Sequence, residues 1–440
     1  MTLLLLAALG AASMASPQAR HQHRVVRVSP STAIAPSEVS VAINPTRPEN
    51  VVAVSVQRRS PTTDYAYVSF DGGTTWVSIE GQNPNARTQG DDAIVFDEAG
   101  RAYWSYISFS GLRSERPTDA ATGIFVNRSE DGGRSWSDAV TVVDHHNTVA
   151  PFEDKPWLVA GPDDRVYIAW TRFSKYGSAD PQETSHIYFS LSEDAGQTFA
   201  APFRVSDTPG DAIDSDGTLE GVVPAVGIEG EVYLVWSGPQ GLVFDKSTDG
   251  GWTFGEDRII GPHPGGWDID IEGVGRANGM PVTAVDRSQG AFRGTLYVNW
   301  IDHRHGDPDV FVTYSRDGGN SWAPPVRVNG DPIGNNAAQF FTWMAVDPID
   351  GSVNVAFYDR HDLKGTETSV TLARSTNGGE SFETFPVAIE PFETSDDVFF
   401  GDYLGVAAHA GRVVMVFSHF TTPSDLALSA ALFRFSQSDN

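Results

Sequence analysis

The sequence predicts an all-β protein built as a seven-bladed β-propeller, and three observations support this prediction. A short motif with a glycine-containing turn occurs six times along the 440 residues. A strand-like segment rich in β-branched and aromatic residues occurs seven times. One further strand-like segment precedes the first complete unit. Repeats of this kind indicate a chain assembled from copies of one small structural module.

The recurring motif, which we call the repeat box, is close to Ser-x-Asp-Gly-Gly-x-Ser/Thr-Trp/Phe. An Asp or Asn side chain accepts hydrogen bonds from the backbone of its own turn, and glycine allows the positive φ values of a tight hairpin. The hydroxyl residue holds the turn and the aromatic residue covers it. Each box therefore predicts a hairpin between two strands. The six copies occupy residues 69–76, 129–136, 192–199, 247–254, 315–322 and 375–382.

A second repeat lies upstream of each box and consists of an alternating strand that ends in an aromatic residue. Enrichment in β-branched and aromatic residues is typical of strands. A short strand follows each box, so each unit has four strands. The copies of the alternating strand occupy residues 101–106, 165–170, 231–236, 295–300, 352–357 and 412–417, with a degenerate first copy at 50–55.

The last unit has two inner strands between Leu404 and His419 and a third strand from Leu426 to Phe435, but no box and no fourth strand. The segment from Val25 to Ser29 has the pattern of the missing strand. We predict that it closes the last blade, because closure removes an open sheet edge. A six-bladed, sialidase-like ring is the alternative if the first or last unit is degenerate. The predicted units are 38–90, 91–153, 154–219, 220–278, 279–338, 339–401, and 402–435 together with 24–29.

Composition limits the class of protein further. The chain has 40% hydrophobic residues, a formal net charge of -27 and no cysteine. The acidic balance argues against nucleic acid or an anionic membrane as the main partner and favours a soluble monomer. Residues 1–15 form an apolar run with small residues, which is typical of a signal peptide, and 16–440 form a single propeller domain. We therefore expect a secreted or periplasmic protein without a membrane span.

The repeat boxes resemble the Asp-box, or bacterial neuraminidase repeat, of the sialidase superfamily. The resemblance extends from about Val25 to Phe435 and implies a propeller with the boxes on outer hairpins. The superfamily contains sialidases, other glycosidases and binding proteins without activity. Its sialidases bind the sialate carboxylate with three arginines and use a Tyr–Glu nucleophile pair and an Asp acid/base. The Phe/Tyr-Arg-x-Pro motif that usually holds the first arginine does not precede the first box.

Carboxylates and arginines stand at the inner-strand starts and second-strand exits, which gather around the axis of a propeller. Carboxylates can perform acid/base work on a glycosidic bond, and arginines can bind an anionic sugar. The order of roles in sialidases implies that Asp92 is the acid/base. It pairs Glu220 with Tyr403 as the nucleophile, with Asp402 as a further catalytic candidate and Tyr358 as an alternative nucleophile. The substrate-binding candidates are Arg58, Arg276, Arg304, Arg360 and Asp154.

Two acidic stretches raise the question of a metal. Hard oxygen ligands bind Ca²⁺, but neither stretch has the spacing of an EF-hand. We therefore predict solvated loops, with no metal and no cofactor, and Ca²⁺ as the alternative. The stretches are Asp211, Asp214, Asp216 and Glu220 in one loop, and Asp268, Asp270 and Glu272 in another.

These observations predict an exported, sialidase-like glycoside hydrolase that acts on glycans at the propeller axis, with anionic glycans among its candidate substrates. Two alternatives remain open. One is a propeller without activity that binds a glycan or a protein, which the missing arginine motif favours over a true sialidase. The other is a polysaccharide lyase, which would pair a tyrosine with a histidine or arginine at the channel mouth.

Overall fold

The computed structural model describes residues 23–83, 86–111 and 120–436, so the predicted signal peptide at 1–15 lies outside the described residues. The regular secondary structure within these ranges consists of 29 β-strands in seven sheets. The described part of the chain contains no helix of the length and apolarity that a membrane span requires.

Each of the first four blades is an antiparallel sheet of four consecutive strands. Blade 1 contains β2 (Ser37–Ile43), β3 (Val51–Gln57), β4 (Thr63–Ser69) and β5 (Val77–Glu80). Blade 2 contains β6 (Thr88–Phe96), β7 (Ala102–Ser110), β8 (Ala121–Ser129) and β9 (Val140–His146). Blade 3 contains β10 (Phe152–Ala160), β11 (Val166–Phe173), β12 (Ser185–Ser192) and β13 (Phe203–Arg204). Blade 4 contains β14 (Glu220–Val226), β15 (Val232–Gly238), β16 (Gly241–Ser247) and β17 (Arg258–Gly261).

The last three blades continue the same order, with one extra strand in blade 6 and closure in blade 7. Blade 5 contains β18 (Val282–Val285), β19 (Leu296–Asp302), β20 (Asp309–Ser315) and β21 (Val326–Arg327). Blade 6 contains β22 (Gln339–Val346), β23 (Val353–Asp359), β24 (Glu367–Ser375), β25 (Glu383–Pro386) and the short β26 (Phe392–Glu393). Blade 7 contains β27 (Gly405–His409), β28 (Arg412–Thr422), β29 (Asp425–Arg434) and β1 (Arg24–Arg27).

The seven sheets form a closed ring. The innermost strands β2, β6, β10, β14, β18, β22 and β27 contact one another in this order, and β27 returns to β2. The aromatic residues that end the second-strand repeat are buried between blades because both faces of each sheet are covered by neighbours. The seven-bladed propeller predicted from the repeats is confirmed. The buried aromatics are Tyr106, Trp170, Trp236, Trp300, Phe357 and Phe417.

The N-terminal strand closes blade 7, as predicted. β1 pairs antiparallel with β29, in a register that runs from Arg24 opposite Leu432 to Arg27 opposite Ser429. Beyond the strand, the backbone N–H of Val28 donates to the carbonyl oxygen of Leu428 at 2.9 Å. The ring is thus joined by backbone hydrogen bonds between the two ends of the described chain.

Each repeat box is a hairpin between the third and fourth strands of its blade. In the first box, the Ser69 hydroxyl donates to Asp71 Oδ1 at 2.8 Å, and the backbone N–H of Thr75 donates to the same oxygen at 2.8 Å. The backbone N–H of Gly73, at φ 90°, donates to Ser69 Oγ at 2.9 Å. The box is therefore a self-contained set of hydrogen bonds, which explains why the same residues recur at each hairpin.

The boxes also contact the preceding blade. Asn50 Nδ2 donates to the carbonyl oxygen of Gly132 in the next blade's box at 3.0 Å.

Hydrogen bonds from Ser321 and Ser315 lower the pKa of the Asp317 carboxyl to about 2, so this box holds an ionised acceptor at neutral pH. The boxes lie on the outside of the ring, and their role in the described structure is to hold blades together.

A long connection between blades 4 and 5 crosses the mouth of the channel. Its residues 267–278, which we call the axial hairpin, contain isolated bridges between Asp268 and Asn278 and between Ile271 and Val274. Trp267 and Ile271 are buried, whereas the acidic residues between and beside them face solvent. This alternation has the period of an extended chain with one buried face.

Candidate active site

A β-bulge recurs near the start of five inner strands and turns one side chain toward the axis. The pairing register shifts between Ser37 and Ser40 in blade 1, and the same irregularity occurs in four other blades. The first inserted residue has a positive φ in each case, which is costly for any residue but glycine. Bulges of this kind redirect side chains beside active sites. The inserted residues are Glu38 (φ 55°), Asp91 (φ 53°), Lys155 (φ 48°), Gly221 (φ 75°) and Phe341 (φ 47°).

The bulge residues of blades 1, 2 and 3 line a pocket of about 470 Å³ at the mouth of the channel. Carboxyl groups and cations alternate in its wall, and aromatic rings form much of the rest. A concave site with aromatic walls and a few convergent polar groups is the usual form of a ligand pocket. The lining includes the charged side chains and aromatic rings of Glu38, Asp91, Asp154, Lys155, Arg58, Arg59, Arg276, Phe109, Phe152, Tyr176 and Phe399.

Three carboxyl groups meet at the floor of this pocket, with Glu38 and Asp91 in its lining and Asp402 just beneath it. Oxygen atoms of Glu38, Asp91 and Asp402 lie within 4.8 Å of one another. Asp402 accepts hydrogen bonds from Lys155 Nζ at 2.9 Å and from Arg276 Nε at 3.0 Å. Burial opposes ionisation of Asp402, but Arg276 and Lys155 outweigh it and hold the pKa of this carboxyl at about 2. The floor therefore contains one firmly ionised carboxylate with two cationic partners.

These three carboxyl groups do not fit a divalent cation well. A Ca²⁺ site needs six or more oxygen ligands, with carboxylates free to bind the ion. Asp402 already holds a lysine and an arginine, and their charges would repel a third cation. Within the described ranges this is the one group of three or more His, Asp or Glu residues with metal-compatible spacing.

The loops that the sequence offered as alternatives for Ca²⁺ are held by protein donors. Asp214 accepts hydrogen bonds from the Tyr176 hydroxyl at 2.6 Å and from Trp267 Nε1 at 3.2 Å. Asp216 accepts one from the backbone N–H of Asp268 at 2.9 Å. These carboxylates fasten loop 211–220 to the axial hairpin.

Lys155 connects the carboxyl groups of the site. Its backbone N–H donates to Asp91 Oδ2 at 3.3 Å and to Asp154 Oδ1 at 3.2 Å. Its ammonium group lies between Asp402 and Glu220, 3.7 Å from Glu220 Oε1. Burial lowers the pKa of Lys155. The attraction of Asp402, Asp91 and Asp154 outweighs burial, so the pKa lies well above the ordinary value. The lysine stays charged and neutralises part of the acidic floor.

The environment of Glu38 favours the protonated form of its carboxyl group. Burial raises its pKa well above the ordinary value, and the neighbouring Asp91 and Asp402 raise it further. Its side chain lines the pocket. A protonated carboxyl beside an ionised one is the arrangement that acid/base catalysis requires.

The structure separates the four predicted catalytic residues into two pairs, and none of the four side chains lines the pocket. Asp402 and Glu220 lie just beneath the floor, on either side of the Lys155 ammonium group. The Tyr403 hydroxyl donates to the backbone carbonyl oxygen of Asp92 at 3.5 Å. The Tyr403 ring packs against Trp157, with 5.1 Å between ring centroids, and burial raises the pKa of its hydroxyl.

Asp92 is buried between blades 1 and 2. Trp104 Nε1 donates a hydrogen bond to its Oδ1. Burial raises the pKa of Asp92 to about 8, and burial together with Asp92 raises that of Asp64 well above the ordinary value. The bulge thus sends Asp91, not Asp92, into the pocket. The catalytic role given to Asp92 and Tyr403 stays a prediction that this placement does not favour.

The predicted substrate-binding arginines are also divided. Arg58 and Arg276 both contact the Phe399 ring, at 4.9 and 5.2 Å from its centroid. Arg304 binds Asp302, with its Nε 2.9 Å from Oδ1. The structure does not bring Arg304 to this pocket.

The remaining two predicted substrate ligands differ in position as well. Arg360 donates to the hydroxyls of Thr368 and Thr394, at 3.1 and 2.9 Å, and lines a separate cavity between blades 5 and 6. Asp154 does line the axial pocket. Burial raises its pKa, although Lys155 opposes the shift.

Sequence reasoning missed Glu38 as a site residue. It also assigned no role to Asp91 or Lys155. The signal was the position two residues before the regular part of each inner strand, where Glu38, Asp91 and Lys155 align. The degenerate first repeat concealed the match for Glu38.

The substitution Asp92→Asn is expected to flatten the pH dependence of stability. A folded-state pKa of about 8 lies above the ordinary value near 4, so the stability that this carboxyl contributes is complete below about pH 4 and is lost as pH rises through about 8. The substituted amide cannot ionise, and its oxygen can still accept from Trp104. We expect the wild type to lose on the order of a few kcal/mol of unfolding free energy between pH 5 and pH 9, and Asp92→Asn to lose less.

Urea unfolding at the two pH values measures this difference. Asp194→Asn is the control, because hydrogen bonds from Thr198 lower the pKa of Asp194 against the effect of burial, and this group stays ionised over the whole range. Equal slopes for the wild type and Asp92→Asn would show that Asp92 does not hold its proton in the folded state.

Comparison with known proteins gives no matching family model. A xyloglucanase from Paenibacillus sp is 26% identical over 317 residues, which cover 67% of this chain and 27% of that protein. The chain thus spans about a quarter of the length of that relative.

Solved structures resemble the whole propeller. A protein of unknown function from Dyadobacter fermentans superposes with a TM-score of 0.56 and 12% identity, covering 95% of this chain and 99% of that one. The NanB sialidase of Streptococcus pneumoniae superposes with a TM-score of 0.52 and 9% identity, covering 89% and 84%. At these identities the likeness establishes the propeller fold, and function has to be argued from the site.

Proposed function

We propose that this protein is an exported glycoside hydrolase whose active site is the axial pocket, with Glu38 and Asp91 as its two catalytic carboxyl groups. The observation that carries the proposal is the pairing of these groups. Their oxygen atoms lie within 4.8 Å, both side chains line the same pocket, and both are placed there by strained bulges. Export rests on the signal peptide predicted at residues 1–15.

Glu38 would act as the proton donor to the glycosidic oxygen, because its raised pKa keeps a proton available. Asp91 would attack or stabilise the anomeric carbon, oriented by the backbone N–H of Lys155. Inverting enzymes hold their carboxyl groups about 6.5–9.5 Å apart to admit a water molecule, and retaining enzymes about 5–5.5 Å apart. The short separation in this pocket supports a retaining mechanism.

Several findings support a carbohydrate substrate. The pocket combines carboxyl groups with aromatic rings, which is the usual wall of a sugar site. The relative from Paenibacillus is described as a xyloglucanase, and a neighbour of the same fold is a sialidase. The repeat boxes resemble the Asp-box of the sialidase superfamily, a resemblance that supports glycan chemistry without fixing the sugar.

The lyase alternative is less well supported. A tyrosine that serves as the base of a lyase has to ionise before it can accept a proton, and the one tyrosine in the described lining of the pocket is Tyr176. Burial raises the pKa of Tyr176, and its hydroxyl already donates to Asp214. None of the described side chains that line the pocket is a histidine.

The test is a hydrolysis screen of the purified protein against neutral and acidic glycosides and polysaccharides. Glu38→Gln and Asp91→Asn are expected to reduce kcat/KM about 1,000-fold each, because each removes a group that acts only in the transition state. The control is Glu98→Gln, which removes an exposed carboxylate at the opposite mouth of the channel that pairs with Arg287. NMR of the first product formed is expected to show retention of anomeric configuration.

Three outcomes would contradict the proposal. No hydrolysis of any substrate, together with glycan binding, would favour the binding alternative. Unsaturated products from uronate polymers would favour the lyase. Unchanged turnover in Glu38→Gln, with turnover lost in Asp92→Asn or Tyr403→Phe, would show that the catalytic residues are those predicted from the sequence.

A further inference from the structure

We infer that the floor of the axial pocket receives a neutral sugar ring, whose hydroxyl groups donate to Glu38, Asp91 and Asp154, and not the carboxylate of an acidic sugar. This inference rests on the proposed function and adds the substrate class. It departs from the sequence prediction, in which four arginines served as candidate ligands for an anionic sugar.

The cations at the floor are already neutralised by carboxyl groups of the protein. The Lys155 ammonium group contacts Asp402 at 2.9 Å and lies 3.7 Å from Glu220. Arg276 binds Asp402 through Nε at 3.0 Å and also lies 3.8 Å from Asp214. Each cation thus stands between two carboxyl groups. Although Arg276 is 40% exposed to the pocket, its charge is compensated before any ligand arrives.

The carboxyl groups that face the cavity have no direct ion-pair partner. Among the described residues, Glu38, Asp91 and Asp154 line the pocket and form no ion pair with a lysine or arginine side chain. Asp91 and Asp154 each use one oxygen to accept a hydrogen bond from the backbone N–H of Lys155. Carboxyl groups, protonated or ionised, can exchange hydrogen bonds with the hydroxyl groups of a neutral sugar, but they offer no cationic partner to a carboxylate ligand.

The pocket lining contains two further arginines. Arg58 and Arg59 stand at the rim and are exposed to solvent. Arg58 lies on the Phe399 ring and Arg59 lies 5.2 Å from the centroid of the Tyr65 ring. Water and salt screen charges in such positions. They can contact a group that extends out of the pocket, but they do not supply a buried clamp for a sugar at the floor.

Matched substrate pairs test the inference. Each pair has the same leaving group and linkage and differs in the oxidation of C6, as in 4-nitrophenyl glucosides and glucuronides or galactosides and galacturonides, and a fluorogenic sialoside is added. We expect kcat/KM to be at least 100-fold higher for the neutral member of the pair that is hydrolysed. Faster hydrolysis of a uronide or of the sialoside would overturn the inference and leave the proposed hydrolysis standing.

A variant series locates the selectivity. Asp154→Asn removes a carboxyl group from the wall of the pocket but not from the catalytic pair. We expect it to reduce the ratio of kcat/KM for the neutral substrate to that for the acidic substrate about tenfold. Glu98→Gln at the opposite mouth should leave the ratio unchanged. An unchanged ratio in Asp154→Asn, measured by substrate competition, would place the selectivity outside the pocket floor and overturn the assignment.

A glycan array with the wild-type protein separates this inference from the proposed function when no substrate is hydrolysed. Binding to neutral glycans alone would support the neutral pocket while the proposed hydrolysis fails. Binding to acidic glycans alone would overturn the neutral pocket. Absence of any binding would overturn both.

Discussion

Asp402→Asn is expected to destabilise the protein by about 3 kcal/mol, because Asp402 is the shared partner of two cations. Lys155 comes from the inner strand of blade 3, and Arg276 comes from the axial hairpin. Asparagine keeps the size of the side chain but cannot balance either charge. The Lys155 ammonium group, whose side chain is 4% exposed, would keep Glu220 at 3.7 Å and the weaker attraction of Asp91 and Asp154. Removing one partner of a buried ion pair typically destabilises a protein by about 3–5 kcal/mol. We expect a loss at the lower end of this range because Glu220 still partly balances the charge of Lys155.

Urea unfolding at neutral pH measures this loss. Glu380→Gln is the control, because it breaks the ion pair with Arg316 in which both side chains are about half exposed. Surface pairs of this kind contribute about 1 kcal/mol or less. A change below about 1 kcal/mol in Asp402→Asn would show that water, and not Asp402, solvates Lys155.

A double-mutant cycle identifies the partner. If Lys155 carries the penalty, Asp402→Asn combined with Lys155→Met should be less destabilising than the sum of the single variants. Additive losses would assign the effect to Arg276 or to packing. The same variants bear on activity, since Asp402 lies beside both proposed catalytic carboxyl groups.

The blade architecture could be predicted from the sequence because its determinants are local and repeated. Each box contains its own hydrogen-bond donors and acceptors within about seven residues, so six copies could be recognised without any tertiary information. The closing strand could be predicted because the last unit has only three strands in the sequence pattern, whereas every other unit has four. Pairing of β1 with β29 confirms it.

The site was harder to predict because a bulge shifts the side-chain alternation by one residue. In a regular strand, a shift of one residue moves every side chain to the opposite face. The sequence Asp91-Asp92 offers two carboxylates, and period-two reasoning cannot choose between them. The register shift between Gly90 and Ala93 makes Asp91 face the pocket and places Asp92 between the blades.

The ion-pair partner of Arg276 could not be predicted from the sequence, because the two residues lie far apart in the chain. The partner of Arg276 is Asp402, 126 residues away, and the axial hairpin that delivers Arg276 was read as an acidic loop. Its acidic residues do face solvent, but its alternating apolar residues are buried over the channel. Only the tertiary structure shows that this guanidinium is bound by a carboxylate of the protein itself.

Removal of the closing strand is expected to have an effect of similar size, because blade 7 has no other fourth strand in the described chain. A chain that begins at Pro30 lacks β1, whereas a chain that begins at His23 retains it. Val28 is buried, and Val25 and Val26 are partly buried against blade 7. Loss of these contacts and of the hydrogen bonds to β29 should reduce the unfolding free energy by about 4 kcal/mol.

The exposed edge of β29 adds a second consequence. Without β1, its unpaired backbone groups between Ser429 and Leu432 become a template for another chain, and the shorter protein should form soluble aggregates or dimers. Thermal unfolding and light scattering of the two truncations, at equal concentration, measure both effects. The replacement of Arg24 and Arg27 by alanine in the longer chain is the control, since both residues are exposed. Equal melting temperatures for the two truncations would mean that six blades and three strands suffice, and that the pairing of the chain ends does not hold the ring closed.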